Sequence, residues 1–564
     1  MSNTRIVVIG AVACGAKAAS RIRRLNPCAD ITMIDQGKYI SYAGCGLPYH
    51  ISGKVRDIED LVRTTYGKIR DSEYFMDLKG IRVLTGTRAE SIDRESRIVT
   101  INHIETGMTE TLEYDRLVLA TGASPAPIPV EGADLEGIYN LTTMEDAAAI
   151  AELVRDNPGG KAVIIGGGFI GVEAAEALGM KRWEVTMLER CDQLFPGALD
   201  FEIAAMIQEH LFEHMIEPEF NTDVVRFTGE SGRVTGVVTD RKEYPADLVI
   251  IAAGVRPNTG IAVDACLKTG ETGALIVNER MQTSDPDIYA GGDLVENTHI
   301  VTGNRCYVPL GSTANKHGRV IADNICGIES RFPGIQATFV CKVFDYAVGS
   351  TGLTEKQAVD QGLDAWAVSA PGFDKAHYYP DSQIVALKLI IENGTDRLLG
   401  LQAVGKGDVA RRIDVAATAI RMGATIDSLA DLDLAYAPPF SQALDVFITL
   451  INVAKNRRAK MFMPVTAVET KKMLMEDDDV VLLDVRSEIE YRRAHIDDPK
   501  VLNIPLDELN SRMSEIPGDK KILCACLLGL RGFTAQRILQ GAGFKDVYTI
   551  EGGMFLWPWK EELE

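Results

Sequence analysis

Two stretches of this chain repeat one hydrophobic pattern. RIVVIGAVACGAKAAS and KAVIIGGGFIGVEAAEAL each open with a continuous aliphatic run, break at glycines, and continue into an alanine-rich segment. A second apolar run ending in an acid follows each of them, ITMID and VTMLE. Continuous apolar strands belong to sheets covered on both faces, so the pattern predicts two parallel βαβ units. In such a unit the glycine turn lets a pyrophosphate approach the backbone at a helix N-terminus, and the acid holds a ribose hydroxyl. Two units imply two dinucleotides.

The pattern also orders the domains. The first unit is interrupted near Pro125 to Pro129 and its chain returns around YAGGDLVE, which places the second unit inside the first. Strands such as IVALKLII and helices such as RIDVAATAIRMG then predict a separate α/β domain. The segment NVAKNRRAKMFMP turns basic and ends in proline, as a solvated connector does, and a last unit opens with VVLLDVR.

Composition narrows the class. A chain of 564 residues exceeds one core, and 46% hydrophobic with 25% charged residues is ordinary for a folded soluble protein without a bilayer-spanning run. The N-terminal IVVIGAVACGA is short for a secretion signal and reads as mature protein. A net charge of −21 disfavours nucleic acid as a partner. Ten scattered cysteines without a CxxC pair argue against a disulfide framework or a zinc site, so no metal is expected, and the compartment is read as a reducing cytoplasm.

In the first glycine turn the spacing is Gly10, Val12, Gly15, with valine where the middle glycine usually stands. Asp35 falls at the ribose-binding distance, and ATG (Ala120 to Gly122) with GGD (Gly291 to Asp293) supports a flavin, FAD. The second turn is complete at Gly166, Gly168 and Gly171, with Phe169 and Ile170 between them and Glu173 on the ensuing helix. Glu189 ends the following strand and favours the 2′-hydroxyl of NADH over the phosphate of NADPH, while the adjacent Arg190 keeps NADPH open. SYAGCGLPYHISG sets Cys45 between Gly44 and Gly46, ahead of a helix expected near Pro48, where a thiol ionises more easily. Most free cysteines are inert core residues, and that reading is taken for Cys14, Cys28, Cys191, Cys266, Cys306, Cys326 and Cys341. On the first helix Lys17, Arg21 and Arg24 share one face as a basic stripe, ordinarily just solvated surface.

The motif around Cys45, together with the order of flavin motif, cysteine, NAD motif and GGD, resembles the pyridine-nucleotide disulfide oxidoreductases, in particular their single-cysteine branch acting on coenzyme A disulfide. The resemblance implies an α/β fold of two Rossmann-like dinucleotide-binding domains, one inserted in the other, followed by an α/β dimerisation domain and a C-terminal rhodanese-like α/β domain. It implies FAD-binding segments at 1–125 and 255–328, an NAD-binding domain at 126–254, a dimerisation domain at 329–452, a linker at 453–466 and the rhodanese-like domain at 467–564. Flavin contacts carry over to Gly10, Val12, Ala13, Gly15, Asp35, Gln36, Ser41, Cys45, Ala89, Thr121, Gly122, Asp293, Leu310 and Ala314. NAD contacts carry over to Gly166, Gly168, Phe169, Ile170, Gly171 and Glu189. Asp35 departs from the family's more frequent glutamate. Arg21 and Arg24 match positions that bind the nucleotide end of coenzyme A, and Ser41, Gly44 and Lys79 match others near its pantetheine and phosphates; Lys17 extends the stripe. Tyr436 in DLAYAPPF and Tyr378 in HYYP, with Tyr379 as the alternative, match tyrosines that reach across a homodimer toward the partner's redox cysteine.

DVRSEIEYRRAHI, NIP and CLLGLRG resemble a rhodanese domain. Cys526, Gly529 and Arg531 fit its active loop, with Cys526 as sulfur carrier, Asp484 and Arg486 as supports, and Cys524 as a structural neighbour whose reversible pairing with Cys526 stays open. The resemblance thus implies an FAD-dependent NAD(P)H oxidoreductase that reduces coenzyme A persulfide, polysulfide or coenzyme A disulfide through Cys45, with sulfane sulfur passing through Cys526. Two rivals remain: an NADH oxidase or peroxidase cycling a cysteine sulfenic acid, and a redox-sensing sulfur-relay protein. The oxidase relatives carry a histidine in the first glycine turn; GAVACG has none.

Overall fold

The computed structural model describes residues 3–560 and Leu563. The chain forms two compact units, one built from the residues up to Arg190 with Glu219–Ile335, the other from Cys191–Pro218 with the residues from Gln336 onward.

In the first unit the leading apolar runs become parallel strands. One sheet has the order Ile288–Ala290, Arg116–Leu119, Arg5–Ile9, Asp30–Ile34, Arg82–Leu84. A second parallel arrangement sets Lys161–Ile165 between Glu184–Leu188 and Leu248–Ile251. The chain leaves the first sheet after Leu119, builds the second and returns as Ile288–Ala290, so the second domain is inserted in the first. Small residues set how closely the layers approach. The helix Cys14–Leu25 buries Ala16, Ala18, Ala19 and Ile22, and a Cβ at Gly318 of the helix Gly311–Ile325 would lie 2.5 Å from the Cys14 carbonyl oxygen.

The second unit holds an antiparallel sheet ordered Phe339–Val343, Tyr346–Gly352, Leu398–Gly405, Ile384–Glu392, Ala365–Phe373. Its central strands are buried on both faces because helices, including Phe201–Glu213 and Val409–Arg421, pack against it. Lys388 is buried within this sheet, and Asp200, Glu202 and Glu355 surround its ammonium at 2.9–3.3 Å, which compensates for its desolvation and holds it charged. The basic segment expected to be a connector is helical as far as Arg458, in the helix Val446–Arg458, and Ile451 and Ala454 are buried. A terminal parallel sheet follows, ordered Pro464–Val465, Val547–Ile550, Lys521–Ala525, Val480–Asp484, Val501–Asn503. Among the described residues no helix is long and apolar enough to cross a membrane.

Candidate active site with two thiol centres

The first glycine turn is tight because nothing larger fits. Gly10 has φ +98°, and a Cβ there would sit 2.1 Å from the Ala120 carbonyl oxygen; one at Gly15 would sit 1.8 Å from that of Gly10. The helix Cys14–Leu25 starts with no side-chain cap and no acid in its first turn, leaving its first N–H groups, beside Val12 and Ala13, for a phosphate. The Asp35 carboxylate accepts from the Ala11 and Gly37 amides, both at 2.8 Å, which holds the turn and directs the acid; burial nonetheless raises its pKa. Gln36 is exposed beside it, and Ser41, at φ +51°, donates its amide to the Ala11 carbonyl. The Thr121 hydroxyl donates to the Asn258 carbonyl at 2.9 Å and the Asn258 amide returns a bond to the Thr121 carbonyl at 2.8 Å, fixing the strand end where Gly122 turns at φ +65°. Ala89 lies in the strand Thr87–Asp93, Leu310 precedes the helix Gly311–Ile325, and Ala314 is buried on it.

The Asp293 carboxylate is the observation that tests for a flavin. It is largely withdrawn from water, burial raises its pKa, and no hydrogen-bond donor or counter-charge meets it among the described residues. A desolvated carboxylate without partners is costly, and a ligand hydroxyl removes the cost. The adjoining Gly292 amide donates to His317 Nδ1 at 3.1 Å; burial drives the His317 pKa down to about 3, so a neutral imidazole supports the loop. His317 has no motif to announce it.

The second glycine turn repeats the cradle. A Cβ at Gly166 would lie 2.4 Å from the Ala252 carbonyl oxygen and one at Gly171 2.0 Å from that of Gly166, whereas Gly168 faces open space at the start of the helix Phe169–Gly179. Ile170 is partly exposed on that first turn. Glu189 is buried and accepts from the Gly167 amide at 2.7 Å, so its carboxylate lies at the turn itself. Arg190 is exposed.

Cys45 occupies the short turn Gly44–Gly46 before the five-residue helix Leu47–Ile51, with Pro48 in its first turn. The thiol is exposed at residue level, yet its pKa is raised, first by partial desolvation and then by Glu173 and Asp293. The expected helix effect is therefore outweighed: so short a helix carries little dipole, and two carboxylates oppose thiolate formation. Glu173 is itself lifted to about 7 by burial and by Glu176, whose carboxylate is 3.0 Å from Lys54. The helix after the second glycine turn thus brings an acid to Cys45, a role that spacing alone does not disclose.

The basic stripe is divided. Arg21 is committed to Asp323 of the helix Gly311–Ile325 at 2.5 Å, while Lys17 and Arg24 stay exposed. Lys79 donates to Ser20 at 2.9 Å and lies over the Phe75 and Tyr74 rings; burial, Arg24 and Arg70 lower its pKa to about 8. Arg70, absent from the sequence reading, joins Arg24 and Lys79 in this positive cluster. Like charges held together fit an anionic ligand.

The second unit carries the remaining candidates. Tyr378 and Tyr436 are 68% and 53% exposed, with Phe440 and Leu444 exposed near Tyr436 in sequence, while Tyr379 is less exposed. Cys526 is buried, and the Gly529 amide, at φ +93°, donates to its Sγ at 3.1 Å. Gly553, at φ +60°, lies so close that a Cβ there would meet the Cys526 carbonyl oxygen at 2.2 Å. Arg531 forms a double hydrogen bond to Glu490 at 2.6 and 2.8 Å and pulls that carboxyl down to about 2. Asp484 and Arg486 form a buried pair at 2.6 Å, and Asn503 bonds both their carbonyls. Cys524 is buried on the strand Lys521–Ala525, and desolvation raises its thiol strongly.

This combination of nested nucleotide cradles with a thiol beside them defines a class. Residues 4–318 match the family Pyridine nucleotide-disulphide oxidoreductase, 338–446 its dimerisation domain and 466–558 the Rhodanese-like domain. The chain belongs to the pyridine nucleotide-disulphide oxidoreductases, FAD- and NAD(P)H-dependent enzymes, in a form fused to a rhodanese-like domain. Among solved structures it is similar to a NAD-dependent persulfide reductase from A. fulgidus, 48% identical with a TM-score of 0.94, covering 98% of this chain and 100% of that one. It is also similar to the reduced Bacillus anthracis CoADR-RHD, at 35% identity and TM-score 0.92, covering 100% of this chain and 99% of that one. A curated relative is the NAD(P)H sulfur oxidoreductase (CoA-dependent) of Pyrococcus furiosus, 39% identical over 455 residues, 81% of this chain and 100% of the relative.

Proposed function

We propose that this enzyme is an FAD-dependent NAD(P)H reductase of coenzyme A persulfide, polysulfide or coenzyme A disulfide, working through Cys45 and exchanging sulfane sulfur through Cys526. The observation that carries the reading is the pairing in one chain of an exposed thiol near the flavin acid Asp293 with a second thiol held by a loop amide in a rhodanese fold. Similar proteins bear matching names, a NAD(P)H coenzyme A polysulfide/persulfide reductase from Pyrococcus horikoshii and a Coenzyme A disulfide reductase from Staphylococcus haemolyticus.

In this reading coenzyme A persulfide, NADH and a proton yield coenzyme A, hydrogen sulfide and NAD⁺. FAD, when bound, supplies the two-electron relay between the nicotinamide and sulfur. Cys45 attacks the persulfide, forms an S–S bond and releases the displaced thiolate or hydrosulfide; reduction of that bond restores the thiol. Glu173, with a pKa near neutrality, is placed to hold a proton beside Cys45. Lys79, Arg24 and Arg70 bind the phosphates of coenzyme A, with Lys17, Ser41 and Gly44 along its path, while Arg21 acts mainly as an anchor of its helix. Gly166, Gly168, Phe169, Ile170, Gly171 and Glu189 hold NADH, and Gly10, Gly15, Asp35 and Asp293 lead the flavin set.

The exposed Tyr378 and Tyr436 lie in the region matching the dimerisation domain and support a homodimer in which each assists the partner's thiol. Ten free cysteines support a reducing, cytoplasmic setting. Relatives named NADH oxidase, such as that of Methanocaldococcus jannaschii at 35% identity, favour oxygen as the rival acceptor. Stopped-flow oxidation of the NADH-reduced enzyme by coenzyme A persulfide, polysulfide, coenzyme A disulfide and oxygen decides between them. Fast turnover with a sulfur substrate is expected; oxygen outpacing all three overturns the reading.

A further inference from the structure

The helix Phe201–Glu213 and the residue after it carry two histidines four positions apart, His210 and His214, which therefore share one helical face. The turn joining strands Phe339–Val343 and Tyr346–Gly352 in the same unit brings Asp345 to them. One donor atom from each of the three lies within 4.8 Å of the others. We infer that His210, His214 and Asp345 form a binding site for a divalent transition-metal ion, with zinc the best match.

Three features prepare these groups to act as ligands. His210 Nδ1 lies 2.9 Å from Glu213, and His214 Nδ1 lies 2.9 Å from the His210 carbonyl oxygen. Both oxygens can only accept, so each Nδ1 donates and Nε2 is the nitrogen left to face an ion, the arrangement in which a metal-binding histidine is oriented by its other nitrogen. Asp345 is held the same way: Lys406 occupies Oδ2 at 2.9 Å and leaves Oδ1 available. The rings are also walled in, since His210 stacks on Tyr346 at 4.1 Å and His214 on Phe344 at 3.7 Å.

His210 is 2% exposed, and its buried Nε2 stands 2.8 Å from Asp345 Oδ1 without making a hydrogen bond, so the two donor atoms already face each other. A buried donor atom left without a hydrogen bond is costly, and a cation shared by the facing nitrogen and oxygen removes that cost. Zinc takes such nitrogen and oxygen donors at about 2.0–2.2 Å, so its donors stand roughly 3.3 Å apart in a tetrahedron. His210 also lines an open cavity of about 370 Å³ with Glu209, Glu213 and Lys560. The bound ion ties the helix Phe201–Glu213 to the sheet it packs on, independently of either thiol.

The test uses the full-length, FAD-loaded protein with Cys45→Ser and Cys526→Ser, so that the two reactive thiols do not compete for metal. Zinc is titrated against a chromophoric chelator, and the melting temperature is followed with and without zinc. One zinc per chain and a raised melting temperature are expected; His214→Gln and Asp345→Asn each weaken binding at least about tenfold and abolish the thermal shift. Both positions are more accessible than His210, and an unchanged melting temperature without zinc verifies that the variants fold. Equal zinc affinity in the parent and in His214→Gln overturns the assignment, as does no binding at micromolar zinc. X-ray absorption at the zinc edge gives a nitrogen and oxygen shell with imidazole scattering if the site is right, and a sulfur shell if it is wrong.

Discussion

The two candidate thiols are set in opposite surroundings. Cys45 is exposed in a three-residue turn, opposed by Glu173 and Asp293, and the short helix behind it offers little compensation. Cys526 is buried, yet the loop around it turns the Gly529 amide onto its sulfur, with Gly553 close behind. The protein thus turns an amide onto the sulfur at position 526, while at position 45 its own carboxylates oppose thiolate formation. A cysteine's reactivity is set by the neighbours that tolerate or resist its negative charge, more than by its exposure.

The sharpest break of this comparison is Cys45→Ser. It lowers turnover of coenzyme A persulfide and disulfide by at least about a thousandfold while NADH still reduces the flavin at its original rate, both read by stopped flow. Equal loss in both half-reactions contradicts the division of labour. Cys526→Ser comes next: sulfane transfer to coenzyme A falls about a hundredfold, coenzyme A disulfide reduction changes less than about twofold, and Cys524→Ala disturbs neither. If Cys524→Ala matches Cys526→Ser, the two act as a pair.

Glu173→Gln sharpens the electrostatic half. Removing the carboxylate favours the Cys45 thiolate, so iodoacetamide alkylation at pH 7 speeds up severalfold. Because the Glu173 pKa is raised from 4.5 to about 7 on folding, its protonated form favours the native state below pH 4.5, and that contribution is lost as pH rises through 7. The melting temperature of the wild type relative to Glu173→Gln therefore declines across that window, and a constant gap refutes the account. The smallest effect is Glu490→Gln, which frees Arg531. The pair is about one-third exposed, so its loss costs about 1 kcal/mol or less. The Glu490 pKa falls from 4.5 to about 2, so the stabilisation is present above pH 4.5 and disappears as pH drops toward 2. Thermal melts of both proteins at pH 7 and pH 3 check it.

What could be read from the chain follows its local physics. Gly10, Gly15, Gly166 and Gly171 announce themselves because no Cβ fits where they sit, and the runs before them are apolar because both faces of their strands are covered. Cys45 and Cys526 likewise stand inside short contiguous motifs. The reading fails where meaning depends on distant neighbours. Arg21 belongs to a helical stripe by spacing, but its charge is met by Asp323, 302 positions away. The Cys45 shift depends on Glu173 and Asp293, and the position of Arg531 on Glu490, 41 residues earlier. His317, Arg70 and the trio around His210 have no motif, because their roles arise only when separated segments meet.

The passage of Cys191–Pro218 into the second unit, while both its flanks belong to the first, carries a consequence for synthesis. The helix Phe201–Glu213, which buries Ile203, Ile207 and Leu211, leaves the ribosome long before the strands Tyr346–Gly352 and Leu398–Gly405 it packs against. At roughly 5–20 residues per second that wait lasts on the order of ten seconds or more, an interval in which a greasy surface invites chaperones or clumping. Translation speed over the intervening codons thereby becomes a determinant of yield for this enzyme.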